Sequence, residues 1–290
     1  LKLRIIYRGY YLELTMDFII YLIVLLLTGA LVGFASGLLG VGGGFIMVPI
    51  QFFLLTSLGV DPTTAIRVAF GTSLAVILPT AISGALGHAR RGAVLFRPMI
   101  LMGISGLVAA LIGGTVAANT PGIYLKIIFG ILVLISGIWM LIAKYPEISG
   151  EPKKGVLSYI AIGFITGLLS GLLGVGGGVV LVPILVILMG FSMIRAVGTS
   201  TAVIIFTSLG GIIAYTSNGF NVAGLPPFSI GYINLIQFAV LSIISVPMAQ
   251  IGVKASHKLP EKQLRYIFIL VMFYIALKMV GVFSWIGLPL

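Results

Sequence analysis

Two stretches of this 290-residue chain carry the same glycine run, Gly40-Val41-Gly42-Gly43-Gly44 and Gly174-Val175-Gly176-Gly177-Gly178. Three consecutive glycines inside apolar sequence are poor helix formers, each costing about 1 kcal/mol against alanine. They mark a break, and the backbone N–H groups that open the following half-helix suit an anion. The alternative is close helix packing without ligand contact. A nucleotide loop is the weaker rival. No Gly-Lys-Ser/Thr follows either run, and Phe45 stands where Gly-x-Gly-x-x-Gly from Gly40 needs glycine.

Downstream of each run comes Gly-Thr-Ser, at 71–73 and 198–200. These hydroxyls can donate to a polar ligand or bond back to a carbonyl of their own helix. Arg67 and Arg195 open the same helices; they either attract an anion at a pathway mouth or snorkel to the interface. The candidate substrate-binding set is therefore Gly42, Gly43, Gly44, Arg67, Thr72, Ser73, Gly176, Gly177, Gly178, Arg195, Thr199 and Ser200. On this reading Thr72→Val and Thr199→Val weaken binding with little change in folding. Upstream, Gly29, Gly33 and Gly37, like Gly163, Gly167 and Gly171, recur every fourth residue and read as a helix-packing stripe. Ser36 and Ser170 lie on or near it, facing either a neighbouring helix or a cavity. His88 and His257 fall in basic loops and read as solvated.

Other chemistries lack their residues. Asp61 is the only acid between Asp17 and Glu147, and it lies in a loop. No carboxylate sits mid-span, nothing resembles a catalytic triad or metal cluster, and cysteine is absent. Neither an enzyme nor a cofactor is expected.

The elements that must hold these residues follow from composition. Hydrophobic residues make up 60% of the chain and charged ones 8%, against about 25% charged in soluble domains. Mean hydropathy is +1.25. Phe18–Val60, Gly155–Ile194 and Ala196–Val253 contain no charged residue or histidine. The first run alone makes roughly 65 Å of helix, enough for two passes through about 30 Å of hydrocarbon. The short alternating segments of an outer-membrane barrel are missing. The expected fold class is an all-α integral membrane protein in the plasma or inner membrane, with the lipid bilayer as its surroundings. The net charge of +11 sits in short loops between apolar spans, which speaks for membrane orientation and against nucleic acid. A homodimer stays open.

Residues 29–50 and 163–184 are identical at 14 of 22 positions with a constant offset of 134. The chain therefore divides into an extension at 1–17, a first membrane repeat at 18–143, a linker at 144–154 and a second repeat at 155–290. Met16 reads as an ordinary start, with 1–15 upstream of it. The expected helices are 18–39, 45–58, 64–87, 97–118, 122–143, 156–173, 179–190, 195–216, 229–252 and 262–284. The second of each half is short and reads as re-entrant, so the span count lies between 8 and 10. Loops 88–97 and 254–265 are basic, whereas their counterparts 217–228 and 119–121 carry no charge. By the positive-inside rule the halves are inverted, with the basic loops and the linker cytoplasmic.

The doubled Gly-x-x-Gly-x-Gly-Gly-Gly-x-x-x-x-Pro ending at Pro49 and Pro183 resembles the TauE/SafE sulfite exporter family. So do Arg67-x-x-x-Gly71-Thr72-Ser73, Arg195-x-x-Gly198-Thr199-Ser200 and the His88-x-Arg90-Arg91-Gly92 stretch. The resemblance covers nearly the whole chain. It implies a secondary transporter that exports a small sulfur-containing anion such as sulfite, sulfoacetate or a related organosulfonate. Alternatives are a channel-like or uptake carrier for another small solute and a non-transporting membrane scaffold. Tyr215 and Asn218 replace His and Arg in the second half, which leaves a symmetric role for His88 in doubt.

Overall fold

The computed structural model describes residues 2–142, 155–258 and 261–281, with side chains from Ile19 onward apart from Met140 and part of the last helix. The linker 144–154 and residues 282–290 lie outside the described residues. The chain is helical almost throughout. Its helices are α1 (Lys2–Leu39), α2 (Gly44–Ser57), α3 (Pro62–Ala89), α4 (Phe96–Ala118), α5 (Gly122–Ile142), α6 (Val156–Leu173), α7 (Gly178–Ile187), α8 (Met193–Asn218), α9 (Leu235–Ser256) and α10 (Glu261–Val280). Among the described residues, seven helices are long and apolar enough to cross a membrane, while α2 and α7 are shorter apolar helices.

The boundaries follow local chemistry. Asp61 caps α3 by accepting from the backbone N–H groups of Thr63 and Thr64 at 2.9 and 3.0 Å, with Pro62 at the first helical position. The fourth helix of the second half begins later than the expected 229. Pro226 and Pro227 cannot continue a helix, and a two-residue hairpin, β1 (Ser229–Ile230) with β2 (Ile233–Asn234), occupies the segment. Gly231 turns it at φ +56°. Asn234 then caps α9, its side chain accepting from the Gln237 N–H at 3.0 Å.

The two halves interleave. The glycine stripe of α1 lies on α9, with Gly29, Gly33 and Gly37 against the backbones of Leu241, Ser245 and Ala249. The stripe of α6 lies on α4, with Gly163, Gly167 and Gly171 against Met102, Gly106 and Ala110. Each first helix thus packs on the fourth helix of the other half, and each pair runs parallel. In the middle, α3 and α8 run antiparallel: Leu74 meets Gly211, and Thr201 meets Gly84. On the outside, α5 and α10 are also antiparallel, with Gly130 near Ala276 and Val280 and Gly137 near Met272 and Phe273. The central pair is the most enclosed, with 78% and 72% of its best apolar windows buried in the protein against 39% or less for the other spans. The others present apolar side chains outward, as lipid-facing helices do.

The stripes are packing surfaces because a side chain at these positions meets backbone, which cannot rotate away. A Cβ on Gly171 would land on the Ala110 carbonyl, whereas one on Gly155 would meet nothing within 4 Å. Gly171→Ala should therefore lower stability by about 1–3 kcal/mol through overpacking, and Gly155→Ala should leave it unchanged. Thermal unfolding in detergent, followed by the loss of a monodisperse chromatographic peak, measures both.

Candidate functional site

The glycine breaks are backbone structures that side chains disfavour. Gly40, Gly42 and Gly43 have φ of +67°, +78° and +72°, and Gly174, Gly176 and Gly177 repeat this at +67°, +81° and +82°. Left-handed backbone of this kind is open to glycine without a Cβ penalty. Gly43 and Gly177 are the N-caps of α2 and α7, so both short helices start from the break.

The two breaks touch. A Cβ on Gly44 would lie 2.7 Å from the Gly174 oxygen, and one on Gly178 would lie 2.5 Å from the Gly40 oxygen. Serines from the central helices tie the crossing together. Ser73 donates to the Gly174 carbonyl at 2.8 Å, and Ser200 donates to the Gly40 carbonyl at 2.8 Å. Each bond runs from one half to the other. Ile77 and Ile204, both fully buried, close over the glycines.

The neighbouring threonines make a second reciprocal pair. Thr72 accepts the backbone N–H of Asn234 at 2.9 Å, and Thr199 accepts that of Leu95 at 3.0 Å. Asn234 and Leu95 are the N-caps of α9 and α4. The threonine oxygens therefore satisfy a buried donor at the start of α9 and a partly buried one at the start of α4, and each hydroxyl keeps its own proton for a further acceptor.

The arginines sit at opposite ends. Arg67 donates to the Thr120 carbonyl at 2.9 Å and to the Tyr232 hydroxyl at 3.2 Å, with its guanidinium 5.8 Å from the Tyr232 ring centre. From there a run of rings leads inward: Tyr232, Tyr215, Phe70 and Phe129 are spaced 6.4, 6.4 and 6.0 Å. Arg195, beside the basic loop end, is exposed. The structure thus brings the six candidate glycines and both serines together, sets the threonines next to them, and places Arg67 and Arg195 within about one turn of Phe70 and Val197, which pack on Gly174 and Gly40, toward opposite ends.

His88 differs from its reading as a solvated loop residue. It closes α3, is 1% exposed, and its Nε2 lies 2.9 Å from the Gly37 carbonyl. Tyr215, its counterpart in the second half, donates its hydroxyl to the Gly171 carbonyl at 2.9 Å. His257, exposed, stands with its ring 6.0 Å from that of His88.

A family model described as sulfite exporter TauE/SafE matches residues 25–279. The chain belongs to the TauE/SafE family. A probable membrane transporter protein of Methanocaldococcus jannaschii is 32% identical over 254 residues, 87% of this chain and 93% of that one. One from Haemophilus influenzae is 28% identical over 260 residues, 89% of this chain and 98% of that one. The YunE protein of Bacillus subtilis, also named a probable membrane transporter, is 32% identical over 216 residues, 68% of this chain and 79% of that one. No solved structure matches. This TauE/SafE chain is a multi-pass membrane protein of the transporter class.

The sequence reading missed the partners of the site. Nothing about Leu95 or Asn234 marks their backbone N–H groups, and Tyr232 lies in a segment expected to be helix. The partners also correct one expectation. Thr72→Val and Thr199→Val cannot be neutral for folding, because each strands an N–H, buried at Asn234 and partly buried at Leu95. Each should cost about 1–3 kcal/mol, while Thr72→Ser and Thr199→Ser keep the acceptor and most of the stability. Melting temperatures of the four variants in one detergent give the comparison.

Proposed function

We propose that this TauE/SafE protein is a secondary transporter that exports a small sulfur-containing anion, of the sulfite or organosulfonate class, by alternating access between two inverted repeats. The observation that carries the reading is the meeting of the two glycine breaks, which points the N-terminal ends of α2 and α7 into the protein's centre. Helix N-termini offer unpaired N–H groups and positive dipole ends, and paired broken helices mark substrate sites in inverted-repeat transporters. A sulfonate or sulfite oxyanion presents three acceptor oxygens. Backbone and hydroxyl donors suit it, and they avoid a fully buried cation that would hold it too tightly for release. Among the described side chains Asp61 is the only carboxylate, and it is used as a helix cap. Gly42 to Gly44, Gly176 to Gly178, Thr72 and Thr199 line this site, Ser73 and Ser200 brace it through their bonds to the Gly174 and Gly40 carbonyls, and Arg67 and Arg195 attract the anion at the two mouths.

Inversion is supported by direction and charge. The equivalent helices α3 and α8 are antiparallel, as are α5 and α10. The contact between His88 and His257 puts the two basic loops at one end. Arg67, Thr120 and Tyr232 gather at the other. The basic end faces the cytoplasm in this reading.

Flux assays in proteoliposomes test the substrate. Saturable movement of sulfite, thiosulfate or sulfoacetate, with none of sodium or of neutral amino acids, is the expected result; absence of saturable flux of any anion overturns it. Single cysteines test orientation, since the chain has none of its own. A membrane-impermeant thiol reagent applied to intact cells should label position 222 and spare position 90, and the reverse pattern overturns the orientation.

A further inference from the structure

Ser36 and Ser170 occupy equivalent positions, separated by the 134-residue repeat. Both are buried, at 1% and 0% exposure, and neither hydroxyl has a hydrogen-bond partner. Elsewhere in these helices a buried hydroxyl bonds back to the carbonyl four residues earlier: Thr28 to Val24, Thr80 to Val76, Thr166 to Ile162 and Thr201 to Val197. The two serines do not, although that is the nearest acceptor for a helical serine. Other unpaired buried polar atoms exist, among them those of Gln51 and Ser208, whose counterparts by the repeat are Leu185 and Ala81. The serines alone among these recur at one place in both halves.

That place is the mouth of each break. The carbonyls of Ser36 and Ser170 accept the N–H groups of Gly40 and Gly174 at 2.9 Å, so each serine sits in the last turn before the chain reverses. The Ser170 Cβ lies 3.3 Å from where a Cβ on Gly177, the N-cap of α7, would stand. The Ser170 side chain therefore packs beside the start of the half-helix, where the first N–H groups lack intrahelical partners. Ser36 sits one turn after Val32, whose carbonyl oxygen lies 2.9 Å from where a Cβ on Gly43 would stand, as the Thr166 oxygen lies 2.8 Å from one on Gly177. A buried hydroxyl with no partner forfeits its hydration with no return, and such a group in a native structure calls for an acceptor.

We propose that Ser36 and Ser170 are substrate-binding residues, each donating its hydroxyl to an oxygen of an oxyanion seated at the N-terminus of α2 or α7. The proposal rests on the anion-transport reading and extends its site into α1 and α6. It assigns the molecule two equivalent half-sites, one per repeat, each made of one serine hydroxyl and the first N–H groups of a short helix. The anion class is one with several acceptor oxygens and no donor, which sulfite and alkanesulfonates share.

Ser36→Ala, Ser170→Ala and the double variant test it in proteoliposomes loaded with sulfite, beside melting temperatures of the same proteins in detergent. Loss of an unpaired hydroxyl leaves no group stranded, so the melting temperatures should hold or rise. The KM for sulfite should rise on the order of tenfold per serine, as expected for one lost donor to a charged acceptor. Unchanged KM in all three variants, with the parent transporting sulfite, overturns the serine assignment and leaves the transport reading standing. A fall in melting temperature together with lost flux also overturns it, since that identifies a structural partner for the hydroxyls. If the parent moves neither sulfite, thiosulfate nor sulfoacetate, both readings fall together. Ser170→Cys adds a direct readout. Its lone thiol should react with a small anionic methanethiosulfonate, and sulfite-class anions should slow that reaction, whereas equal rates with and without anion count against the site.

Discussion

The fold depends on satisfying two carbonyls where water cannot. The left-handed turns at Gly40 and Gly174 aim their C=O groups away from any helical N–H, inside a protein that sits in lipid. An unpaired backbone carbonyl there carries a desolvation cost that a membrane interior does not relieve. Each carbonyl is satisfied by a serine of the other half, Ser200 for Gly40 and Ser73 for Gly174. Neither half is chemically complete by itself. The close approach also dictates glycine at 44 and 178, because any Cβ there would strike the opposite break. Interleaving of α1 with α9 and of α6 with α4 follows the same logic at larger scale, with each half supplying the packing surface that the other lacks.

The repeat preserves geometry where it abandons residue type. His88 and Tyr215 differ in size and acid–base character, yet each reaches the carbonyl of the last stripe glycine of its own half, Gly37 or Gly171. What is kept is a ring-borne polar atom clamping the end of the third helix to the first. The departure at Tyr215 therefore does not remove the structural role. It replaces an imidazole by a phenol at one of two otherwise matching places. The clamp at His88 stands beside the exposed His257 and the basic loop; the clamp at Tyr215 stands within aromatic rings.

Much of this was legible in the sequence because the strongest constraints are composition and repetition. The apolar runs, the doubled glycine motif and the Gly-Thr-Ser twins gave ten helices with boundaries mostly within a few residues, and the short second helix of each half emerged as expected at α2 and α7. Two starts differ: α1 runs from Lys2 rather than from the expected 18, and α9 begins late because the apolar character of 229–234 hides a hairpin that Pro226, Pro227 and Gly231 impose. His88 was misjudged because a histidine beside three arginines looks solvated in one dimension, whereas it ends a helix that points its side chain inward. The acceptor role of Thr72 and Thr199 was invisible for a deeper reason. Its partners are backbone N–H groups of Asn234 and Leu95, 162 and 104 residues away, and backbone groups leave no trace in residue identity.

A near-symmetric centre between unlike ends has a consequence for how such a protein works. A ligand held equally well by two conformations shifts neither, however tightly it binds. In the proposed alternating-access reading, two matching half-sites formed by twin glycine turns and twin hydroxyls cannot by themselves distinguish an inward-open from an outward-open state. The difference must come from groups that the repeat does not duplicate. Three contrasts are present: Arg67 engaged by Tyr232 and Thr120 against Arg195 exposed, His88 against Tyr215, and the hairpin at 229–234 against the basic turn at 90–95. Each lies near one end of the α3–α8 pair, where, on the proposed reading, a change in packing opens one mouth and leaves the centre intact. On that reading the geometry shared by the two halves belongs to recognition, and the broken symmetry belongs to the choice of side.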